Sequence, residues 1–209
     1  MSGQGKAGQW IEDAAAMGYW WRSRQAGRDL AAFTAAEAAI VLAGTVAIPI
    51  PTLAGATTPT PVAVFAPLLL AISVATGLSR RLGLEDVAVR RIRLIDTSWI
   101  LALAVAGLAV ALVASGRQQV GIIAGRDLAG YLGLTMIGCR ILGNQASAVL
   151  PVGYAIASAM LGYNSGAIAS WAWPVAAPHD SAAMALALGT CLAGLVTLAR
   201  APVARAIRA

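Results

Sequence analysis

Charge is scarce in this chain. Only 11% of its 209 residues are Asp, Glu, Lys or Arg, against about 25% in an ordinary soluble domain. Hydrophobic residues make up 59%, and the mean hydropathy is +0.75. A water-soluble globular enzyme of this length needs far more polar surface to cover its core, so that class is excluded. Disorder is excluded too, because it requires low hydrophobicity and high charge. Histidine occurs once, at His179, and lysine once, at Lys6. With so few ligand-type residues, no metal centre can be assembled at a recognised spacing. An intramembrane serine protease would need a histidine inside a neighbouring helix, and none is present. The glycine-rich stretch GYLGLTMIG lacks the strand context and the lysine of a phosphate loop; its glycines place small residues on helix faces. The two cysteines, Cys139 and Cys191, lie in apolar segments and read as small buried hydrophobes. No cofactor is implied.

What the chain does have is long apolar runs. A hydrocarbon core of about 30 Å needs about 20 helical residues. Six segments approach that length, at 30–50, 62–79, 97–116, 121–142, 146–162 and 181–199. The fourth is interrupted by Arg126, Asp127 and Arg140, so its apolar stretch can be reduced to 128–139. The expected fold is therefore all-α: a polytopic membrane protein with six transmembrane helices. An interfacial segment at 1–29 precedes the six-helix domain of 30–199, and a basic tail follows at 200–209.

Net charge is +6, and fourteen of the fifteen basic residues are arginine, a usage that resembles a GC-rich bacterial genome. If the N-terminus is cytoplasmic and six helices alternate, thirteen of the fifteen fall on the cytoplasmic side. Only Arg117 and Arg126 fall outside. Positive residues favour the cytoplasmic face, so this bias points to an N-in, C-in chain in the plasma (inner) membrane and away from nucleic acid. Two cytoplasmic segments have interfacial character. Residues 9–29 gather Trp10, Tyr19, Trp20 and Trp21 with Arg22, Arg24 and Arg28, a composition suited to an in-plane amphipathic helix or to a tail with an aromatic belt. Residues 82–96 place Glu85 and Asp86 before Arg90, Arg91 and Arg93, in the sense that favours a helix dipole, and read as a short charged cytoplasmic helix. On the other side, the loop 163–180 carries Trp171 and Trp173, expected as interface anchors. Asp180 or Ser181 is placed to cap the last helix.

Ionisable groups inside spans require a partner or a function. Glu37 in the first span and Arg140 in the fourth both fall toward the cytoplasmic half and are expected either to pair or to lie on a substrate or ion pathway. Arg126 and Asp127, adjacent near the outer surface, read as solvated or loop-paired.

This layout resembles the membrane subunits of ATP-binding-cassette exporters of the second structural type. Those are six-span permeases with an in-plane elbow before the first helix and a short cytoplasmic coupling helix between the second and third. Here Trp10–Arg28 stands at the elbow position and Leu82–Asp96 at the coupling position. The resemblance implies a separate cytoplasmic ATPase docking on Glu85, Asp86, Arg90, Arg91 and Arg93. It also implies two permease subunits around one pathway, an amphipathic or apolar substrate, and no catalysis by this chain itself. Two other readings remain open: an accessory or scaffolding membrane protein, and a proton-coupled secondary transporter using Glu37.

Overall fold

The computed structural model describes residues 18, 21–22, 25–52, 57–79, 89–114, 118–143, 146–164 and 167–200. They form six α-helices: α1 Ala26–Ala43, α2 Val62–Ser79, α3 Val89–Ala114, α4 Gln118–Ile141, α5 Val149–Leu161 and α6 Ser181–Arg200. Between α1 and α2 lies an antiparallel strand pair, β1 Ala47–Pro51 and β2 Thr57–Pro61. Between α5 and α6 lie the two-residue strands β3 Tyr163–Asn164 and β4 Ala167–Ile168, then a single 3-10 turn, Trp173–Val175.

The helices alternate in direction. Asp29 at the start of α1 meets Ser73 near the end of α2, and Trp99 of α3 reaches the same carboxylate. At the opposite end Ala63 of α2 donates to the Gly44 carbonyl just past α1. The Gly125 position of α4 touches Leu108 of α3, and Gly138 of α4 touches Ser147 just before α5. Leu70, Val74, Leu78, Ile100, Leu103, Leu128, Leu132, Met136 and Leu198 interlock between α2, α3, α4 and α6 as the main core.

α4 is the axis of this bundle, and α6 lies on its outside. Both are long and apolar enough to cross a membrane, the two helices among the described residues that are. In α4 72% of the most apolar stretch is buried, against 22% in α6. The outer faces carry large apolar side chains: Leu186, Leu188, Leu192 and Val196 on α6, and Leu101, Val105 and Leu108 on α3, are exposed. In water such faces would be a large unfavourable patch; hydrocarbon suits them.

Packing of α6 on α4 depends on glycine. A Cβ at Gly133 would stand 2.5 Å from the Thr190 backbone carbonyl, and one at Gly194 would stand 2.6 Å from the Gly133 carbonyl oxygen. The two helix backbones are therefore in direct contact, the arrangement that small residues permit when dispersion between helices replaces a hydrophobic driving force.

Several elements differ from the sequence expectation. The first apolar run does not continue as helix to residue 50; α1 ends at Ala43, and Ala47–Pro51 is a strand paired with Thr57–Pro61. Prolines at 49, 51, 59 and 61 occupy alternate positions of both strands, with Pro49 opposite Pro59. The residues between them, Ile48 and Ile50 opposite Thr60 and Thr58, are left to make the ladder. The hairpin also serves α2, because the Val62 N–H donates to the Val46 carbonyl at 3.0 Å.

α3 is a single helix of 26 residues, about 39 Å long at 1.5 Å per residue. Residues 89–96 are its first two turns, continuous with the apolar part; residues 80–88 lie outside the described residues. α4 is unbroken across Arg126 and Asp127. α5 has 13 residues, about 20 Å, and is shorter than the expected span. α2 and α6 match their expected segments closely.

At the start of α6 the Asp180 carboxylate accepts from the N–H groups of Ala182 at 2.9 Å and Ala183 at 3.1 Å. Asp180→Ala should lower stability by about 1 kcal/mol, the usual worth of such a cap, read as a lower thermal midpoint in detergent. Asp180→Asn should keep most of it.

Candidate functional site

Among the described residues three polar centres lie within the bundle, and α4 carries the most deeply buried. Arg126 is 1% exposed and Asp127 0%. Neighbouring positions on a helix point about 100° apart, so the long guanidinium stem must curl back. It does so, bringing Arg126 Nε to 3.1 Å from Asp127 Oδ1. The remaining nitrogens leave α4 altogether. Nη1 donates to the Ala177 carbonyl at 3.0 Å, and Nη2 donates to the carbonyls of Pro174 at 3.1 Å and Ala176 at 3.2 Å. One side chain thus satisfies three carbonyls of the α5–α6 connection, and its charge is balanced by the adjacent carboxylate. Asp127 Oδ2 is buried with no hydrogen-bond donor.

An aromatic cluster surrounds this centre. Trp173 is 2% exposed, with its ring directly against α4, where a Cβ at Gly130 would lie 2.3 Å from it. The rings of Tyr131 and Tyr154 stand 5.3 Å from that of Trp173, the second of them stacked. The Tyr131 hydroxyl donates to the Val64 carbonyl of α2 at 3.1 Å, one residue beyond the carbonyl that Pro67 leaves without a ladder donor. The Tyr154 hydroxyl donates to the Trp171 carbonyl.

The second centre is at the other end of the bundle. Asp29, in the first turn of α1, accepts from Ser73 Oγ at 2.6 Å and from the Trp99 indole at 3.4 Å. Arg28 donates through Nη2 to the Ser73 carbonyl at 3.0 Å. Asp29, Asp96 and Trp99, with Val74, Gly77, Leu78 and Ile100, line a small open cleft.

The third is Glu37 in α1. It sits against α3, with its Oε1 3.6 Å from where a Gly107 Cβ would be, and its Oε2 is buried without a donor. No ion pair joins it to Arg140, which lies exposed in the last turn of α4. The expected pairing is therefore absent. α1 packs mainly on α2 and only grazes α4, so a chain of arginine length at the far end of α4 does not reach Glu37.

The anchor residues divide. Trp171 is 41% exposed, whereas Trp173 is a core residue that belongs to the aromatic cluster. Trp21 is also 41% exposed, and its ring meets the Trp99 ring edge-on at 5.7 Å. Trp10, Trp20, Glu85 and Asp86 lie outside the described residues, so the in-plane helix and the acidic half of the coupling segment are not placed. Arg90, Arg91 and Arg93 lie on the first turn and a half of α3. No group of three or more His, Cys, Asp or Glu able to hold a metal occurs among the described residues.

Sequence reasoning had Arg126 and Asp127 as solvated or loop-paired. They are loop-paired, and fully buried. The signal that could have shown this is the flanking sequence GRDLAGYLG, where glycines at 125 and 130 let two different neighbours, Leu108 and Trp173, come close to the helix on either side of the pair.

Comparison with protein-family models, with curated proteins and with solved structures finds no match to this chain.

Proposed function

We propose that this chain is a multi-pass permease subunit of the plasma membrane, with six spans and both termini inside, driven by a separate cytoplasmic ATPase of the ATP-binding-cassette type. Two such subunits would enclose a path for an amphipathic or apolar substrate, since the spans offer few fixed charges. The observation that carries this reading is the continuity of α3. Its basic first turns, with Arg90, Arg91 and Arg93, are a rigid prolongation of an apolar helix that packs on the central α4. About 39 Å of helix exceeds a 30 Å core by roughly two turns. A force applied to the basic end is therefore transmitted along the helix into the bundle rather than lost in a flexible loop. The outward-facing leucines and the inward-facing Arg126–Asp127 pair support the membrane setting.

The test is purification from native membranes in mild detergent. A phosphate-loop ATPase should co-purify with the chain. The combined variant Glu85→Ala, Arg90→Ala, Arg91→Ala should leave the chain folded and uncouple ATP hydrolysis from transport. Failure of any ATPase to accompany the wild-type chain would refute the reading.

One observation favours a second reading, a proton-coupled secondary transporter: the unpartnered Oε2 of Glu37 inside α1. On that reading Glu37→Gln abolishes proton-coupled uptake, and no ATPase is needed.

A further inference from the structure

We infer that Glu37 and Phe33 of α1, where they meet Gly107 of α3, form a lateral binding site for a lipophilic organic cation. The two residues are four apart, which sets them one above the other on a single face of α1. They converge on one point of α3: a Cβ at Gly107 would lie 3.4 Å from Phe33 Cε2 and 3.6 Å from Glu37 Oε1. A carboxylate beside an aromatic ring suits an organic cation, the one supplying the opposite charge and the other a π-face. Glu37 Oε2 is enclosed with no donor among the described residues. A carboxylate in that condition is costly, and a bound cation offsets the cost.

The surroundings select the ligand. Glu37 stands about 16 Å along α1 from its first residue, at 1.5 Å per residue. It is therefore well removed from Arg28, whose guanidinium is engaged by Ser73. Glu37 and Phe33 are themselves only half-buried, and Thr34, Ala38 and Val41 of α1 and Val105 and Leu108 of α3 are exposed around them. α1 and α3 touch over a short stretch only, so the site opens on the flank of the bundle, among the apolar outer faces. A ligand arriving there must dissolve in hydrocarbon and still carry a positive charge. The carboxylate repels an anion. A Ca²⁺ or Mg²⁺ ion takes about six or more oxygen ligands, which one carboxylate beside a phenyl ring does not supply. On the permease reading the site gives the amphipathic substrate its charge, but binding itself needs no ATPase.

Equilibrium dialysis of the full chain in a nonionic detergent, with empty micelles as the blank, tests the site directly. Two probes of one shape and opposite charge are compared, tetraphenylphosphonium and tetraphenylborate. The wild type should bind the phosphonium saturably and the borate not at all beyond the blank. Glu37→Gln should weaken phosphonium binding at least tenfold, whereas Glu37→Asp, which keeps the charge, should retain more of it. Phe33→Leu should weaken it about threefold or more, and carries the test should the glutamine variant not fold. Absence of saturable phosphonium binding, the behaviour of a site for a bare proton, would overturn the inference. So would equal binding of the borate, or undiminished phosphonium binding by Glu37→Gln. If the phosphonium binds as stated and no ATPase co-purifies, the cation site stands and the permease reading falls; an accompanying ATPase without phosphonium binding gives the reverse.

Discussion

Replacing Arg126 with alanine should destabilise the protein by about 3–5 kcal/mol, the cost of leaving one member of a buried ion pair without its partner. Asp127, fully buried, would lose the donor at its Oδ1, and three carbonyls of the α5–α6 connection would lose theirs at once. The companion change, Asp127→Leu, should be costly alone for the mirror reason. Combined as Arg126→Ala with Asp127→Leu, the loss should be much smaller than the sum of the two, because no uncompensated charge then remains in the interior. Recovery should stay incomplete, since the carbonyls of Pro174, Ala176 and Ala177 still lack a donor. The measurement is a thermal or denaturant unfolding series of the four proteins in one detergent. Additive losses would mean that Arg126 and Asp127 act independently, contrary to the 3.1 Å contact between them.

The second large effect is expected at Gly133. A leucine there has no room, because even a Cβ would come within 2.5 Å of the Thr190 carbonyl carbon and oxygen and 2.6 Å of the Cys191 nitrogen. These are backbone atoms of a facing helix and cannot turn aside as a flexible side chain would. α6 must move away from α4, which opens the contact through Gly194 as well. Overpacking of a well-filled interface costs about 1–3 kcal/mol, and here Gly133→Leu should lie at or above the top of that range. Gly133→Ala should fall between it and the wild type. At Gly189 on α6, where nothing lies within 4 Å of a Cβ, alanine should be harmless and even slightly favourable for the helix. A graded loss across Gly189→Ala, Gly133→Ala and Gly133→Leu, followed by thermal midpoint, checks the contact. Equal tolerance at both sites would refute it.

Much of the helix pattern was legible from composition alone. Val62–Ser79 and Ser181–Arg200 are apolar runs bounded by proline and by charge, and they appear as α2 and α6 with little change. Asp180 stood just before α6, where its carboxylate caps the first turn. The hairpin was not legible. Val46–Ile50 is as apolar as a span end, and a short apolar run does not by itself distinguish strand from helix. Its partner, TTPTP, lies beyond a gap of five residues and looks like an ordinary turn segment. For Arg126 the loop-paired alternative was open from the sequence, but its full burial and its partners were not. Its partners are main-chain carbonyls about fifty residues away, and carbonyls have no signature in a sequence. Trp173 failed for a related reason. An indole between prolines and alanines reads as an interface anchor until Gly130 is seen to leave a hollow for it. The Glu37–Arg140 pairing was drawn from depth alone. Depth fixes height along the bundle, whereas pairing also requires the two helices to be neighbours, and α1 and α4 meet only weakly.

A permease of this design requires a fixed orientation of the chain in the bilayer. That orientation can be measured with single cysteines in a background of Cys139→Ser and Cys191→Ser, using a membrane-impermeant maleimide on intact cells. On the proposed topology the α5–α6 connection faces out, so His179→Cys should be labelled in intact cells. On the same topology the connection between α2 and α3 faces in, so Arg81→Cys should be labelled only after the membrane is opened. Labelling of both in intact cells, or the reverse order, would contradict the six-span, N-in and C-in account.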